Sequence, residues 1–174
     1  MNLLLRLLLR IARPYDHGHL HHADKSLYME RFVLFETKWF SARLHHICTE
    51  DRDPHLHDHP WNFCSVLLQG YYVENRPVPV ENCRWAREWN WANDMEPTVQ
   101  WPRIAPSIAF RRATDRHLIS YVEPGTWTLF IYGRICQRWG FYTPRGKVDF
   151  KEYISSKIHL DACEREMKHH AEAQ

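Results

Sequence analysis

The chain's 174 residues are 44% hydrophobic, enough for one domain with a sizeable core, and they include eight Trp, eight Tyr and eight Phe. Lys and Arg number 23 against 21 Asp and Glu, and a formal charge of +2 supplies no bulk attraction to nucleic acid. The five cysteines (Cys48, Cys64, Cys83, Cys136 and Cys163) are odd in number and form no C-x-x-C pair, so reduced thiols in a cytoplasm are expected rather than a disulfide framework.

Residues 1–13 place Arg6, Arg10 and Arg13 at helical spacing among leucines, which predicts an amphipathic helix. Its apolar run falls short of the roughly 20 residues of a membrane span. It also lacks the uninterrupted apolar core of a signal peptide. Packing on the outside of the domain or on a partner subunit is expected, with weak membrane-surface association as the rival. Pro14 should end this helix, and residues 15–25, with His17, His19, His21 and His22, read as a polar connector. From Tyr28 the chain turns β-prone, over residues 30–35 and again over 39–49, where one of His45 and His46 must face the interior. Residues 61–69 form another apolar run, closed by Gly70, and residues 71–74 start the return.

Residues 76–101 hold Pro77 and Pro79 with Trp85, Trp89 and Trp91 among charges, a pattern expected of a flap or subunit contact. Short strands follow over 102–110 and 117–122. Glu123-Pro124-Gly125-Thr126 has Pro and Gly where a type II turn needs them, and 127–132 returns antiparallel. Residues 150–174 read as a polar helix. Short β runs punctuated by turns predict an all-β, single-domain antiparallel barrel or jelly roll rather than a parallel α/β sheet. Three segments are expected: an N-terminal helix and connector (1–25), the β-domain (26–153) and a helical tail (154–174).

The densest set of metal-ligand side chains is Asp53-Pro54-His55-Leu56-His57-Asp58-His59-Pro60-Trp61. On an extended backbone, alternate side chains leave one face about 7 Å apart. Two imidazoles at that spacing can tip toward one cation, each nitrogen about 2.0–2.1 Å from a zinc-sized ion, whereas three in a row converge poorly. Two ligands are therefore expected here and others from elsewhere. His117 heads a later strand.

This layout resembles the cupin superfamily, in which an H-x-H and a later single His meet inside a small β-barrel. His57 and His59 match the first motif, with Gly70 matching its glycine. The motif's Glu falls on Phe63 or Cys64, so that carboxylate is missing. His117 matches the second motif without the Pro and Gly that normally lie just before it. More closely, His57-Asp58-His59-Pro60-Trp61, Gly70-Tyr71-Tyr72-Val73-Glu74, Phe110-Arg111, Thr128-Leu129-Phe130 and Trp139-Gly140-Phe141 are similar to a group of uncharacterised bacterial and phage cupin-domain proteins, over residues 32–153.

The resemblance implies a cupin-type β-barrel whose metal ligands are His57, His59 and His117, with Glu74 or His46 behind them. Arg43, Trp61, Phe63, Arg111 and Arg112 are the expected substrate-binding residues, since a guanidinium fork suits a carboxylate or phosphate. Three neutral imidazoles suit a divalent transition metal, with Fe expected first and Zn, Mn, Ni or Cu as alternatives. The expected function is a non-haem iron dioxygenase-like oxidoreductase acting on a small organic acid or thiol. A non-redox sugar isomerase or epimerase and a small-molecule-binding module without catalysis are the rivals. A homodimer is expected, with neither nucleic acid nor a membrane span.

Overall fold

In the computed structural model, which describes residues 2–22, 24–78 and 96–156, the chain folds as antiparallel β-sheets with a helix at each end. Helix α1 (Leu3–Ile11) is followed by strands β1 (Arg13–His21), β2 (Leu27–Glu36), β3 (Ser41–Ile47), β4 (Phe63–Gln69), β5 (Tyr71–Pro77), β6 (Thr98–Ile104), β7 (Ser107–Arg111), β8 (Leu118–Val122), β9 (Thr126–Tyr132), β10 (Gly140–Thr143) and β11 (Gly146–Asp149). Residues 150–156 form a second helical segment.

One layer is a six-stranded sheet in the order β1-β2-β3-β9-β4-β7. The other holds the sheet β6-β5-β8 and the hairpin β10-β11. Residues 56–58 join these two pieces. His57 pairs with His117 on one side and with Phe141 on the other. The bonds are His57 N to His117 O (3.0 Å), His117 N to His57 O (3.0 Å), Tyr142 N to Leu56 O (2.8 Å) and Asp58 N to Gly140 O (3.2 Å). The second layer thus runs β6, β5, β8, residues 56–58, β10, β11, and the His-x-His segment lies inside it.

Between the layers, Met29, Ile47, Leu67, Tyr72, Ile119 and Val122 form the closed end of the core. A second apolar cluster lies on the outer face of the large sheet, where α1 sets Leu5 against Leu44 and Leu68. Asn2 caps this helix, its Oδ1 accepting from Leu5 N at 2.8 Å. Two glycines are required by their surroundings. Gly70 turns the chain from β4 into β5 at φ +88°, and a Cβ there would stand 2.7 Å from Thr126 Cα. Gly140 lies so close to β11 that a Cβ would strike the Val148 carbonyl.

Several boundaries differ from the sequence reading. The expected connector over 15–25 is largely β1, an edge strand paired with β2 through a register shift between Pro14 and His19. The single run expected over 102–110 is two strands, because Ala105-Pro106 turns the chain from one sheet into the other. Gly125, at φ +81°, occupies the turn position expected of it. The tryptophan-rich stretch from 79 to 95 and the tail from 157 lie outside the described residues.

Candidate metal centre

His57, His59 and His117 converge, each offering a nitrogen within 4.8 Å of the others. His57 is placed by its backbone pairing with His117. His59 follows through its N–H to Ala113 O (3.1 Å). His59 Nε2 lies 2.7 Å from His117 Nε2, while Glu74 Oε1 lies 2.8 Å from His117 Nδ1. A carboxylate beside Nδ1 favours the proton on that nitrogen, so in the neutral ring Nε2 presents its lone pair to the cluster. This donor set fits a divalent metal. His57 is lowered by burial, with Asp51 opposing and His117 adding to the effect. His59 is lowered well below its ordinary value by burial first, then by His117 and His57. Both therefore stay neutral, as ligation requires.

Glu74, 2% exposed, is the pivot behind the cluster. Burial opposes its ionisation, but His117, Arg111 and Arg103 outweigh that and hold it below the usual carboxylate range. Arg111 reaches it from the other sheet (Nη2 to Oε2, 3.0 Å), and Arg76 from its own strand (2.6 Å). Aromatic rings wall the site. Phe63 meets His59 edge-on at 4.7 Å, Phe130 lies 4.7 Å from Phe63, and Phe141 lies 5.7 Å from His57.

The loop carrying the histidines is anchored by a carboxylate that sequence reading passed over. Asp58 is fully buried and accepts from Gly140 N (2.8 Å), Tyr142 Oη (3.0 Å), Gln137 Nε2 (3.0 Å) and Lys147 Nζ (2.5 Å). The signal for it was an Asp flanked by two ligands, but its donors lie about eighty residues away in sequence, beyond any local pattern.

The other expected site residues divide. Glu74 and Phe63 lie at the cluster, and Arg111 reaches it through Glu74. Trp61 stacks on Tyr132 (4.3 Å), and Arg43 covers the same ring at 5.1 Å while pairing with Glu36 (3.0 Å). His55 turns aside to Tyr153, Nδ1 to Oη 2.8 Å. Two placements depart from expectation. His46 is on the outer face of β3, bonded to Glu30 (2.8 Å) and stacked on Trp127, because its neighbour His45 takes the inward position against Phe130. Arg112 follows the end of β7 with an exposed side chain, bordering an open surface groove of about 480 Å³ with Phe40, Cys64 and Phe110. Cys64 pairs across the sheet with the exposed Phe110 and so turns away from the histidines.

No family model matches the sequence, and no curated protein matches it. Among solved structures, an RmlC-like cupin protein from Ralstonia eutropha is similar at 14% identity and TM-score 0.43, covering 88% of this chain and 82% of that one. A conserved protein with a double-stranded β-helix domain from Klebsiella pneumoniae has 12% identity and TM-score 0.45, covering 77% and 92%. A cupin superfamily protein from Desulfitobacterium hafniense has 12% identity and TM-score 0.40, covering 70% and 94%. These likenesses are distant and bring no reaction with them. Two facing antiparallel layers, with an H-x-H segment and a strand-heading histidine meeting between them, fit the cupin-type fold expected from the sequence.

Proposed function

We propose that the protein is a metal-dependent cupin oxidoreductase, with His57, His59 and His117 holding one divalent transition metal, iron first, and a small organic acid or thiol as substrate. The observation that carries this reading is the 2.7 Å approach of His59 Nε2 and His117 Nε2 with Glu74 behind His117. With no carboxylate in the ligand set, such an ion would supply redox chemistry and open positions for substrate and dioxygen.

The protein's own residues would do the rest. Glu74 orients His117 and is itself held by Arg111 and Arg76. Phe63, Phe130 and Phe141 keep water from the histidines, which limits side reactions. An acidic group of the substrate would meet the Arg43 guanidinium beside Tyr132. Trp61 Nε1, buried and without an acceptor among the described residues, is a second donor beside the same ring.

The test is oxygen uptake by Fe-, Mn-, Ni-, Cu- and Zn-loaded protein against a panel of small thiols, diketones and aromatic acids, beside a sugar-phosphate isomerase assay. Uptake with iron that His117→Ala abolishes is expected. Isomerase turnover with zinc and no uptake under any loading would replace this reading with the non-redox one. Silence in both assays would leave a binding module.

A further inference from the structure

A second set of ligand-type side chains lies on the opposite face of the large sheet. Register puts His19 of β1 opposite Glu30 of β2, Glu30 opposite His46 of β3, and His46 opposite Trp127 of β9. One transverse row therefore crosses four strands. Cys48, two residues beyond His46, joins it. His46 Nδ1 lies 2.8 Å from Glu30 Oε2 and 3.8 Å from Cys48 Sγ, and His19 Nδ1 lies 3.7 Å from Glu30 Oε1. Trp127 stacks face to face on the His46 ring, at 4.5 Å and 8°, and fixes its plane. This row is remote from the three-histidine cluster, since His46 and His45 point to opposite faces of β3.

We propose that Glu30, His46 and Cys48, completed by His19, form a second cation site for a zinc-class divalent ion, pinning the edge strand β1 to β2 and β3. With metal–nitrogen and metal–oxygen distances near 2.0–2.2 Å and metal–sulfur near 2.3 Å, tetrahedral ligands stand about 3.2–3.6 Å apart. The spacings of 2.8 and 3.8 Å from His46 Nδ1 bracket that value, and the ligand atoms of Glu30, His46 and Cys48 all lie within 4.8 Å of one another. Side-chain adjustment can therefore close the site, with His19 brought in from its place 3.7 Å from Glu30. A mixed sulfur, nitrogen and oxygen set selects zinc-class ions over magnesium and calcium, which take oxygen alone. Binding forms the sulfur–metal bond as the Cys48 thiol gives its proton to solvent. His19, with 61% of its side chain exposed, keeps the site open to ions from solution. The register shift after Pro14 is what sets His19 opposite Glu30, giving the irregularity in β1 a purpose.

Cobalt titration tests this, because only a sulfur ligand gives a thiolate-to-cobalt charge-transfer band and the three-histidine cluster has none. The full-length protein should show the band, and zinc should displace it. Cys48→Ser should abolish it, whereas Cys64→Ser and Cys136→Ser should keep it. His46→Ala should weaken it. Zinc should also slow amide exchange across β1 in the parent protein and not in Cys48→Ser. Absence of the band in the parent protein, its survival in Cys48→Ser, or zinc-independent exchange in β1 would each overturn the proposal.

Discussion

Glu74 Oε1 stands 2.8 Å from His117 Nδ1, with only 2% of the glutamate exposed to solvent. A carboxylate in that position sets the ring's tautomer and its direction at once, and such partners are commonly worth about 10–100-fold in metal affinity. Glu74→Gln should weaken binding at the three-histidine cluster by about that factor, measured by chelator competition in a Cys48→Ser background. His55→Ala, whose imidazole bonds instead to Tyr153, should leave the affinity unchanged.

Asp58→Ala should be among the most damaging single changes. It strips the acceptor from Gly140 N, Tyr142 Oη, Gln137 Nε2 and the Lys147 cation together. Breaking a buried ion pair from one side costs about 3–5 kcal/mol, and partial exposure of Lys147 moves the expected loss toward the lower end. Denaturant midpoints would measure it, with metal affinity falling in parallel because Asp58 lies between two ligands.

Stability should decline on mild acidification. Burial, then Arg31 and Arg43, pull His45 from its ordinary 6.5 to about 3. The unfolded chain therefore binds a proton that the folded one refuses, and folding weakens as pH drops from about 6.5 toward 3. His57 and His59 act in the same direction. Urea unfolding across this range should show the slope in metal-free protein. His45→Phe should flatten part of it, since a phenyl ring in that place would keep the stacking on Phe130 without titrating.

Helix α1 supplies a fourth expectation. Leu5 is fully buried against the sheet, so Leu5→Ala should cost about 2–5 kcal/mol. Leu3, Leu4, Leu7 and Ile11 remain exposed as a second apolar stripe, and we propose that this stripe meets a second copy of the chain. Sedimentation should report a dimer that Leu4→Lys/Leu7→Lys converts to monomer without loss of fold. A parent protein that sediments as a monomer at every concentration would refute it.

Short β runs punctuated by turns made the all-β fold legible, and the resemblance of the His-x-His and the later strand-heading His to the cupin motifs picked out the three histidines that converge. What stayed hidden was non-local. His45 and His46 are adjacent, and only the inner and outer faces of the finished sheet tell them apart. His19 looked like part of a connector because Gly18 and Asp16 suggested a loop, whereas pairing with β2 makes it a strand. Asp58 resembled a loop carboxylate until its partners arrived from residues 137–147. Glu74 was one of two expected partners, with His46, and its tie to Arg111 needed both sheets.

The seam at residues 56–58 also has a consequence for the order of assembly. A nascent chain that has emerged only as far as β9 already contains His57, His59 and His117, yet Asp58 still lacks Gln137, Gly140, Tyr142 and Lys147. Synthesis from the N-terminus therefore leaves the histidines unsupported until the β10–β11 hairpin leaves the ribosome. Metal capture at the three-histidine cluster would then be a late event, gated by translation of β10 and β11, and a chain cut short before β11 should carry His57, His59 and His117 and yet hold no ion between them.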